Sequence, residues 1–194
     1  MSTAREQILL TTSTLLEKQG FHGTGLNEII KESGSPKGSL YYYFPDGKEQ
    51  IAAEAILQSG KLTAERIRSG LAESRVPAKA VHDFLLKIAE NVERSGFGAG
   101  GPLTAVAMET AAQPGRINSA CQEAYAMIEA AFRDKLLESG LPPQKADELA
   151  QFITASVEGG IILSRTYHTG DPLRLVAAQL KSLLEAQKTA KDKK

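Results

Sequence analysis

Apolar residues recur at intervals of three and four along most of the chain, which is the spacing of one face of an α-helix. Residues 3–19 show this pattern first, and Gly20 ends it. Thr24 can cap a second helix with its side-chain oxygen, and Gly34 can end that helix in the left-handed conformation. The chain is therefore predicted to open with a long amphipathic helix and a short one.

A third helix is predicted directly after this turn. Ser35 is a strong N-cap residue, and Pro36 suits the first helical position, because its missing N–H would have no partner there. Two helices joined by a short glycine-containing turn, with a preceding helix to pack on, form the helix-turn-helix pattern. The spacing therefore predicts a three-helix unit at the start of the chain.

Six more helices are predicted from proline or aspartate starts and from apolar stripes. They begin near Asp46, Pro77, Pro102, Pro114, the Pro142–Pro143 pair and Asp171. No segment alternates between apolar and polar residues as a strand would. We therefore predict an all-α protein of about nine helices, in which the three-helix unit is followed by a larger helical region.

The third helix carries the run GSLYYYF, an unusual concentration in a chain with only 6% aromatic residues. At about 100° per residue, Leu40 and Phe44 share a narrow arc that must face the core. The residues left on the solvent side are Lys37, Gly38, Ser39, Tyr41 and Tyr42, with Tyr43 at the boundary.

These solvent-side groups suit the major groove of DNA. A cation and phenols can bond phosphates, phenols can also pack on thymine methyls, and a glycine leaves room for close approach. The alternative is that the tyrosines are half-buried rim residues of a helical bundle. The helix-turn-helix spacing, Gly38, and Lys48 just beyond the run favour DNA binding.

Composition neither requires nor excludes a nucleic-acid partner. The 194 residues are 42% hydrophobic and 24% charged, as in globular proteins, and the formal net charge is zero. Residues 1–50 contain five basic and six acidic residues. Affinity for DNA should therefore rest on dimerisation and on neutral donors rather than on a basic surface.

Neither a secretion signal nor a membrane segment is expected from the sequence. Cys121 is the single cysteine, so no intrachain disulfide can form, and the start MSTAREQILL lacks the apolar core of a signal peptide. The longest apolar stretch, around GGIILS, is far shorter than the roughly 20 residues needed to cross a bilayer. We therefore expect a cytoplasmic protein without a membrane partner.

The stretch GFHGTGLNEIIKESGSPKGSLYYYFPDGKEQI resembles the N-terminal domain of TetR-type bacterial transcriptional regulators, over residues 5–55. The GSLYYYF core, with Lys48 four residues beyond Phe44, is specific to that family. Residues 100–111, GGPLTAVAMETA, further resemble the LmrA/YxaF subgroup, with Gly101 where the motif usually has Cys. The resemblance implies a dimeric, all-helical repressor, not an enzyme, with an effector pocket in its C-terminal two thirds.

The resemblance also assigns roles to residues of the first domain. It places Thr24 and Gly25 at a phosphate of double-stranded operator DNA. The residues that it places near base edges are Lys37, Gly38, Ser39 and Tyr41, and those at or near the DNA backbone are Tyr42, Tyr43 and Lys48. We accordingly assign residues 1–48 to a helix-turn-helix DNA-binding domain, residues 49–188 to an effector-binding and dimerisation domain, and residues 189–194 to a disordered basic tail.

A small-molecule pocket is expected among the helices of residues 77–140. Its candidate lining residues are Phe84, Ile88, Val92, Leu103, Val106, Ala107, Met108, Tyr125, Ile128 and Phe132. Each of them also fits plain core packing at helical spacing. The effector would be apolar or aromatic with a few polar groups, and the subgroup resemblance suggests drug-like planar compounds.

The last two helices carry stripes of apolar and small residues that predict a four-helix bundle between two copies of the chain. The candidate interface residues are Phe152, Ile153, Ser156, Val157, Gly160, Ser164, Val176, Leu180, Leu183 and Leu184. The alternative is that both stripes face the body of their own subunit.

Other candidate chemistry fails on context. Gly96, Gly98 and Gly101 fit a dinucleotide-binding motif, but that motif follows a strand, and residues 78–95 have helical spacing. The three histidines have no carboxylates at ligand spacing, so neither a metal nor a cofactor is expected. Cys121 is expected to be a buried, unreactive thiol. The alternative function is a helical-bundle small-molecule-binding protein or enzyme with a non-functional helix-turn-helix.

Overall fold

The computed structural model describes residues 3–98, 100–112 and 114–191, with side chains as far as residue 187. This part of the chain forms nine α-helices and no strand, as the sequence predicts. The helices are α1 (Ala4–Gly23), α2 (Leu26–Ser33), α3 (Lys37–Tyr43), α4 (Lys48–Leu71), α5 (Pro77–Arg94), α6 (Leu103–Thr110), α7 (Arg116–Glu138), α8 (Pro143–Tyr167) and α9 (Asp171–Lys191).

Several helices begin and end at residues with clear capping chemistry. Thr3 and Glu6 form a capping box at the start of α1, each side chain accepting a bond from the other's backbone N–H. Pro77 and Pro143 occupy the first positions of α5 and α8, where a missing N–H costs nothing. Gly34 ends α2 at a φ of 62°, as its position in the sequence predicts.

Three boundaries differ from the sequence-based expectation. Gly20 (φ 72°, ψ −176°) does interrupt α1, but the chain makes a further helical turn over residues 21–23. α4 begins at Lys48, because residues 45–47 form a turn with Gly47 at a φ of 73°. α9 continues to Lys191, so residues 189–191 of the predicted disordered tail are helical, in a stretch of good helix formers. Residues 192–194 lie outside the described residues.

The chain divides into two compact units, one of residues up to 62 with 101–127, the other of residues 63–100 with 128–194. In the first unit, α1 packs against α2, α3 and α6. We call α1, α2 and α3 the head. Its fully buried large side chains, together with Phe44 just after α3, are Ile8, Leu16, Ile29 and Leu40. Apolar burial on this scale stabilises the three helices as one body.

Two carboxylates join α1 and α6 within the first unit. Glu17 of α1 accepts a hydrogen bond from the backbone N–H of Gly101 at 2.7 Å, just before α6 begins. Glu109 of α6 accepts from the backbone N–H of His22 at 3.0 Å. Gly20 leaves the space that the Glu109 carboxylate fills, because any side chain there would overlap it. The α6 segment is thus bonded to the head at both ends.

In the second unit, α5 packs along α9 and also against α8, and α8 packs against α9. Ala89 and Val92 of α5 and Leu173 of α9 form a buried cluster, flanked by Ile88, Phe97 and Ile161. α5 and one side each of α8 and α9 therefore belong to the interior of a single chain.

Candidate nucleic-acid interface

The third helix presents the two faces that its sequence predicts. Leu40 and Phe44 are fully buried, whereas Lys37, Gly38 and all three tyrosines are exposed and Ser39 is half-buried. Tyr42 is the most exposed of the tyrosines, at 79% of its surface. The amphipathic division of α3 is confirmed, and its polar and aromatic side is available to a partner.

The start of α3 differs from the capping prediction. Pro36, not Ser35, is the N-cap residue, and its carbonyl accepts from the Ser39 N–H at 2.9 Å. Ser35 is buried in the turn after α2, where its N–H donates to the Ser33 hydroxyl at 3.3 Å. The left-handed Gly34 draws Ser35 into the turn, so the helix begins one residue later than predicted.

Two of the exposed rings of α3 pack on each other, and Tyr43 also meets the buried Phe44 ring edge to face, with 6.4 Å between ring centroids. Tyr42 and Tyr43 meet edge to face with 5.1 Å between ring centroids, and the Lys37 ammonium lies 6.0 Å from the centre of the Tyr41 ring. Gly38 lies between these groups, and a Cβ built on it would meet no atom within 4 Å. The surface at Gly38 is therefore open enough for another molecule to approach the backbone.

The corner between α1 and α2 changes the role of Thr24. The Thr24 hydroxyl is buried and donates to the Gly20 carbonyl at 2.7 Å, and its N–H donates to the Phe21 carbonyl at 3.3 Å. Gly25, not Thr24, is the N-cap residue of α2, and it is exposed. The prediction that Thr24 caps α2 is therefore wrong. Both donors of Thr24 are used inside the corner, which does not favour its predicted contact with a phosphate. Gly25 is exposed, and its contact with a phosphate stays a prediction.

Lys48, the first residue of α4, lies beside this corner. Its ammonium group is 4.3 Å from the centre of the Phe21 ring, and its side chain is half-buried. Sequence reasoning identified Lys48 but missed Phe21 as its neighbour. A clue was present in the position of Phe21 directly after a helix-ending glycine, which fixes a large ring at the corner.

Two arginines of the first unit are engaged by carboxylates. Arg5 pairs with Glu54, and Arg116 pairs with Asp46 at 2.8 Å. These pairs are half-exposed, so they contribute little stability, but they do neutralise the surface near α3. The structure thus agrees with the expectation that this surface has no strong basic excess.

Two sequence profiles match most of the chain. Residues 8–55 match the bacterial regulatory proteins of the tetR family, and residues 77–179 match the C-terminal domain of LmrA/YxaF-like transcriptional regulators. The chain belongs to the TetR family.

Curated relatives and solved structures agree with this assignment. The uncharacterised HTH-type transcriptional regulator YxaF of Bacillus subtilis is 40% identical, over 93% of this chain and 95% of its own. The HTH-type transcriptional regulator LmrA of the same organism is 36% identical, over 94% of this chain and 97% of its own. A regulatory protein TetR from Rhodobacter sphaeroides superposes with a TM-score of 0.80 at 21% identity, over 93% of this chain and 98% of that one, which supports the fold. The TetR-family chain is therefore a helix-turn-helix transcriptional regulator.

The predicted effector residues fall into both units. In the second unit, Val92, Ile128 and Phe132 are buried, and Phe84 and Ile88 are half-buried. In the first, Leu103 and Val106 are buried, Ala107 and Tyr125 are half-buried, and Met108 is 77% exposed. Met108 points to solvent because α6 turns its opposite side inward, so the prediction that it lines a pocket is not supported by its position.

The predicted dimer stripe faces largely into its own chain. The residues of this set that are buried within one chain are Ile153, Val157, Gly160, Ser164, Leu180 and Leu184. A Cβ on Gly160 would lie 3.0 Å from Leu173 and 3.4 Å from Val176 of α9. Within one chain these six residues face inward, because α8 and α9 use this side to pack on each other and on α5, and this favours the alternative that the stripe faces its own subunit.

A different side of the same helices is apolar and exposed. We call it the outer face and define it by its exposed large residues, Phe152, Ile162, Leu163 and Tyr167 of α8 and Leu175 of α9. Of the residues that define the outer face, only Phe152 belongs to the predicted interface, and the other four were missed. Three further residues of the predicted interface are half-buried at the edge of the outer face, namely Ser156, Val176 and Leu183. The spacing of four between Leu163 and Tyr167 on α8 was the available signal.

The glycine motif follows the helix α5, as the helical spacing of residues 78–95 predicts. No cluster of three or more potential metal ligands occurs among the residues described here. A segment long and hydrophobic enough to span a bilayer is likewise absent from the described helices.

Cys121 should be nearly inert in the folded protein. It is buried on α7, and burial raises the pKa of its thiol to about 11, in spite of a bond with Thr110 that acts in the opposite direction. Because the thiolate is the reactive form, alkylation near neutral pH should be about a hundredfold slower than in the denatured chain. Timed labelling with iodoacetamide, with and without denaturant, measures this ratio, and equal rates would contradict the burial.

Proposed function

We propose that this TetR-family protein is a homodimeric repressor that binds a near-palindromic operator and leaves it when a small molecule binds its larger domain. The observation that carries the proposal is the exposure of the solvent side of α3. Gly38 and Tyr42 are exposed on this side, and the space at the Gly38 Cβ position is open. The opposite side is fixed to the core by buried Leu40 and Phe44. A helix so anchored holds its solvent side at a fixed depth for the major groove.

The exposed groups divide into two sets of DNA contacts. Lys37, Gly38, Ser39 and Tyr41, at the N-terminal end of α3, face base edges. Tyr42, Tyr43 and Lys48 contact the backbone, as does the exposed N-terminus of α2 at Gly25, where free N–H groups and the helix dipole favour a phosphate. Thr24 contributes only by bracing the corner with its two internal hydrogen bonds.

The second copy docks on the outer face. An exposed apolar surface formed by several large residues on two neighbouring helices is unusual on a monomer and is typical of an interface. Gly159 lies on the same side of α8 as Ile162 and Leu163, with no atom within 4 Å of its Cβ position, so a partner helix can approach closely. A two-fold dimer presents two α3 helices to two half-sites, which a palindrome requires.

The effector is an apolar or aromatic molecule recognised by the larger helical region. Phe84 and Phe132 meet edge to face with ring centroids 6.5 Å apart, and a planar ring suits such a lining. Release from DNA would follow if the effector moved α6, because Gly101 and Glu109 bond that segment to α1. A shift of the head then changes the spacing of the two α3 helices.

Selection of genomic fragments with the purified protein tests the DNA-binding part of the proposal. Enriched fragments should contain paired half-sites about 34 to 36 Å apart, or a multiple of this distance. Single half-site duplexes should bind much more weakly. Failure to enrich any sequence, or equal binding to single and paired half-sites, would contradict a dimeric operator reader.

Effector and operator should weaken each other's binding by the same factor. Linkage requires this reciprocity when two ligands favour different conformations of one protein, and typical couplings are about 5- to 150-fold. Titration of an apolar aromatic ligand, found by thermal-shift screening, into free and operator-bound protein measures the factor. Equal ligand affinity in the two titrations would refute effector control while leaving DNA binding intact.

A further inference from the structure

The contact between Lys48 and Phe21 joins the start of α4 to the end of α1. The distance of 4.3 Å from the ammonium nitrogen to the ring centroid lies well within the roughly 6 Å over which a cation is attracted to an aromatic face. The corresponding distance from Lys37 to Tyr41 is 6.0 Å, at the limit of that range. Lys48 is therefore the more firmly held of these two lysines.

The structure fixes both partners of this contact through the backbone. Gly20, at a φ of 72°, turns the chain so that Phe21 starts the corner. The carbonyl of Phe21 accepts from the Thr24 N–H, and the N–H of the next residue, His22, is bonded to the Glu109 carboxylate. On the other side, Gly47 donates its N–H to the Phe44 carbonyl at 3.0 Å immediately before Lys48. Local hydrogen bonds therefore define the backbone on each side of the contact.

We propose that Phe21 is a positioning residue for DNA binding, whose ring holds the Lys48 ammonium where it meets a phosphate. The proposal rests on the proposed DNA-binding function. A free lysine side chain samples many rotamers, and ordering it on binding costs free energy. The ring covers one side of the ammonium, so N–H donors on the other side stay available for a phosphate oxygen. Phe21 thus lowers the ordering cost without occupying the phosphate's place.

This arrangement compensates for the weak charge of the head. No carboxylate pairs with Lys48 among the residues that the structure describes, whereas Arg5 and Arg116 are both paired. A head with few free cations gains more from placing each one accurately, because affinity per phosphate contact then depends on geometry. The ring is also apolar, so it orients the cation without neutralising its charge.

The test is a double-mutant cycle on operator and random-sequence duplexes of equal length. Phe21→Leu keeps an apolar side chain but removes the ring face, and it should weaken binding to both duplexes about threefold to fivefold. Phe21→Tyr keeps the face and should bind as the unmodified protein does. Lys48→Ala should weaken binding to both duplexes and lower the salt slope by about one. In the Lys48→Ala background, Phe21→Leu should cost nothing further.

A second measurement needs no DNA. The Lys48 ε-methylene protons should resonate upfield in the free protein, because they adjoin an ammonium nitrogen that lies over the ring, and should return to ordinary positions in Phe21→Leu. Unshifted ε-methylene protons in the unmodified protein would overturn the proposal, even if Phe21→Leu does not fold. An equal cost of Phe21→Leu with and without Lys48 would overturn it too, since the ring would then act through packing.

The outcomes also separate this proposal from the one on which it rests. If the protein binds no selected duplex, the DNA-binding function fails and the positioning role falls with it. If it binds, and Phe21→Leu strengthens binding, the ring competes with the phosphate for Lys48 and only the positioning role is overturned.

Discussion

Replacing Gly38 with valine should abolish specific operator binding while leaving the protein folded. Gly38 is exposed on α3, and its Cβ position meets no atom within 4 Å, so the chain itself accommodates a side chain. Valine also has a higher helix propensity than glycine. In the proposed complex the same space holds the edge of the DNA, and separating α3 from the bases would break several contacts worth about 1–3 kcal/mol each. We expect at least a hundredfold loss of specific affinity, which corresponds to the loss of about two such contacts.

The control for this substitution is Gly115→Val. Gly115 also has open space at its Cβ position and precedes α7, outside the proposed interface. Both variants should keep the circular dichroism spectrum of the unmodified protein, and only Gly38→Val should lose the operator in a shift assay. Normal operator binding by Gly38→Val would show that α3 is not the helix that enters the groove.

Leu163→Glu should convert the dimer into monomers and remove cooperative operator binding. Leu163 is 44% exposed in one chain, so a carboxylate there is tolerated by the protomer itself. In a two-fold interface each substitution counts twice, and burying an unpaired charge costs several kcal/mol per copy. Molar mass from light scattering at several concentrations measures the effect.

Gly160→Leu serves as the matched variant on the opposite side of α8. Its Cβ would crowd Leu173 and Val176 of the same chain, so it should lower the free energy of unfolding by about 1–3 kcal/mol without acting on the outer face. The two variants thus separate intersubunit from intrachain packing. If Leu163→Glu stayed dimeric while Gly160→Leu dissociated at unchanged stability, the interface would lie on the side that the chain buries.

The helices were predictable because their ends carry specific chemistry. Prolines at the starts of α5 and α8 and Gly34 at the end of α2 act within a few residues of themselves, so sequence alone locates them. The N-cap was misplaced by one position, because left-handed Gly34 draws Ser35 into a buried turn, and this turn depends on the three-dimensional structure. Local propensity predicts that a helix starts there but not which residue caps it.

Sequence alone did not predict which of the two apolar sides of α8 is buried within its own chain. α8 carries apolar residues on two sides, and its adjacent glycines point in different directions, Gly160 toward α9 and Gly159 to open space. Helical periodicity identifies both sides but does not say which meets the same chain and which a second copy. The solvent side of α3 was predictable, because only Leu40 and Phe44 compete for its interior.

The two hydrogen bonds that Glu17 and Glu109 accept between α1 and α6 limit how the head can be exchanged between regulators. A chimera built by transplanting residues 1–48 would contain Glu17 without the Gly101 N–H that donates to it. It would also contain Gly20 and the His22 N–H without the Glu109 carboxylate that contacts both. It would also separate Asp46 from Arg116. The compact unit that contains all these partners consists of residues up to 62 together with 101–127. Recombination between relatives should therefore succeed when these two discontinuous segments travel together, and positions 20 and 109 should change in size as a pair.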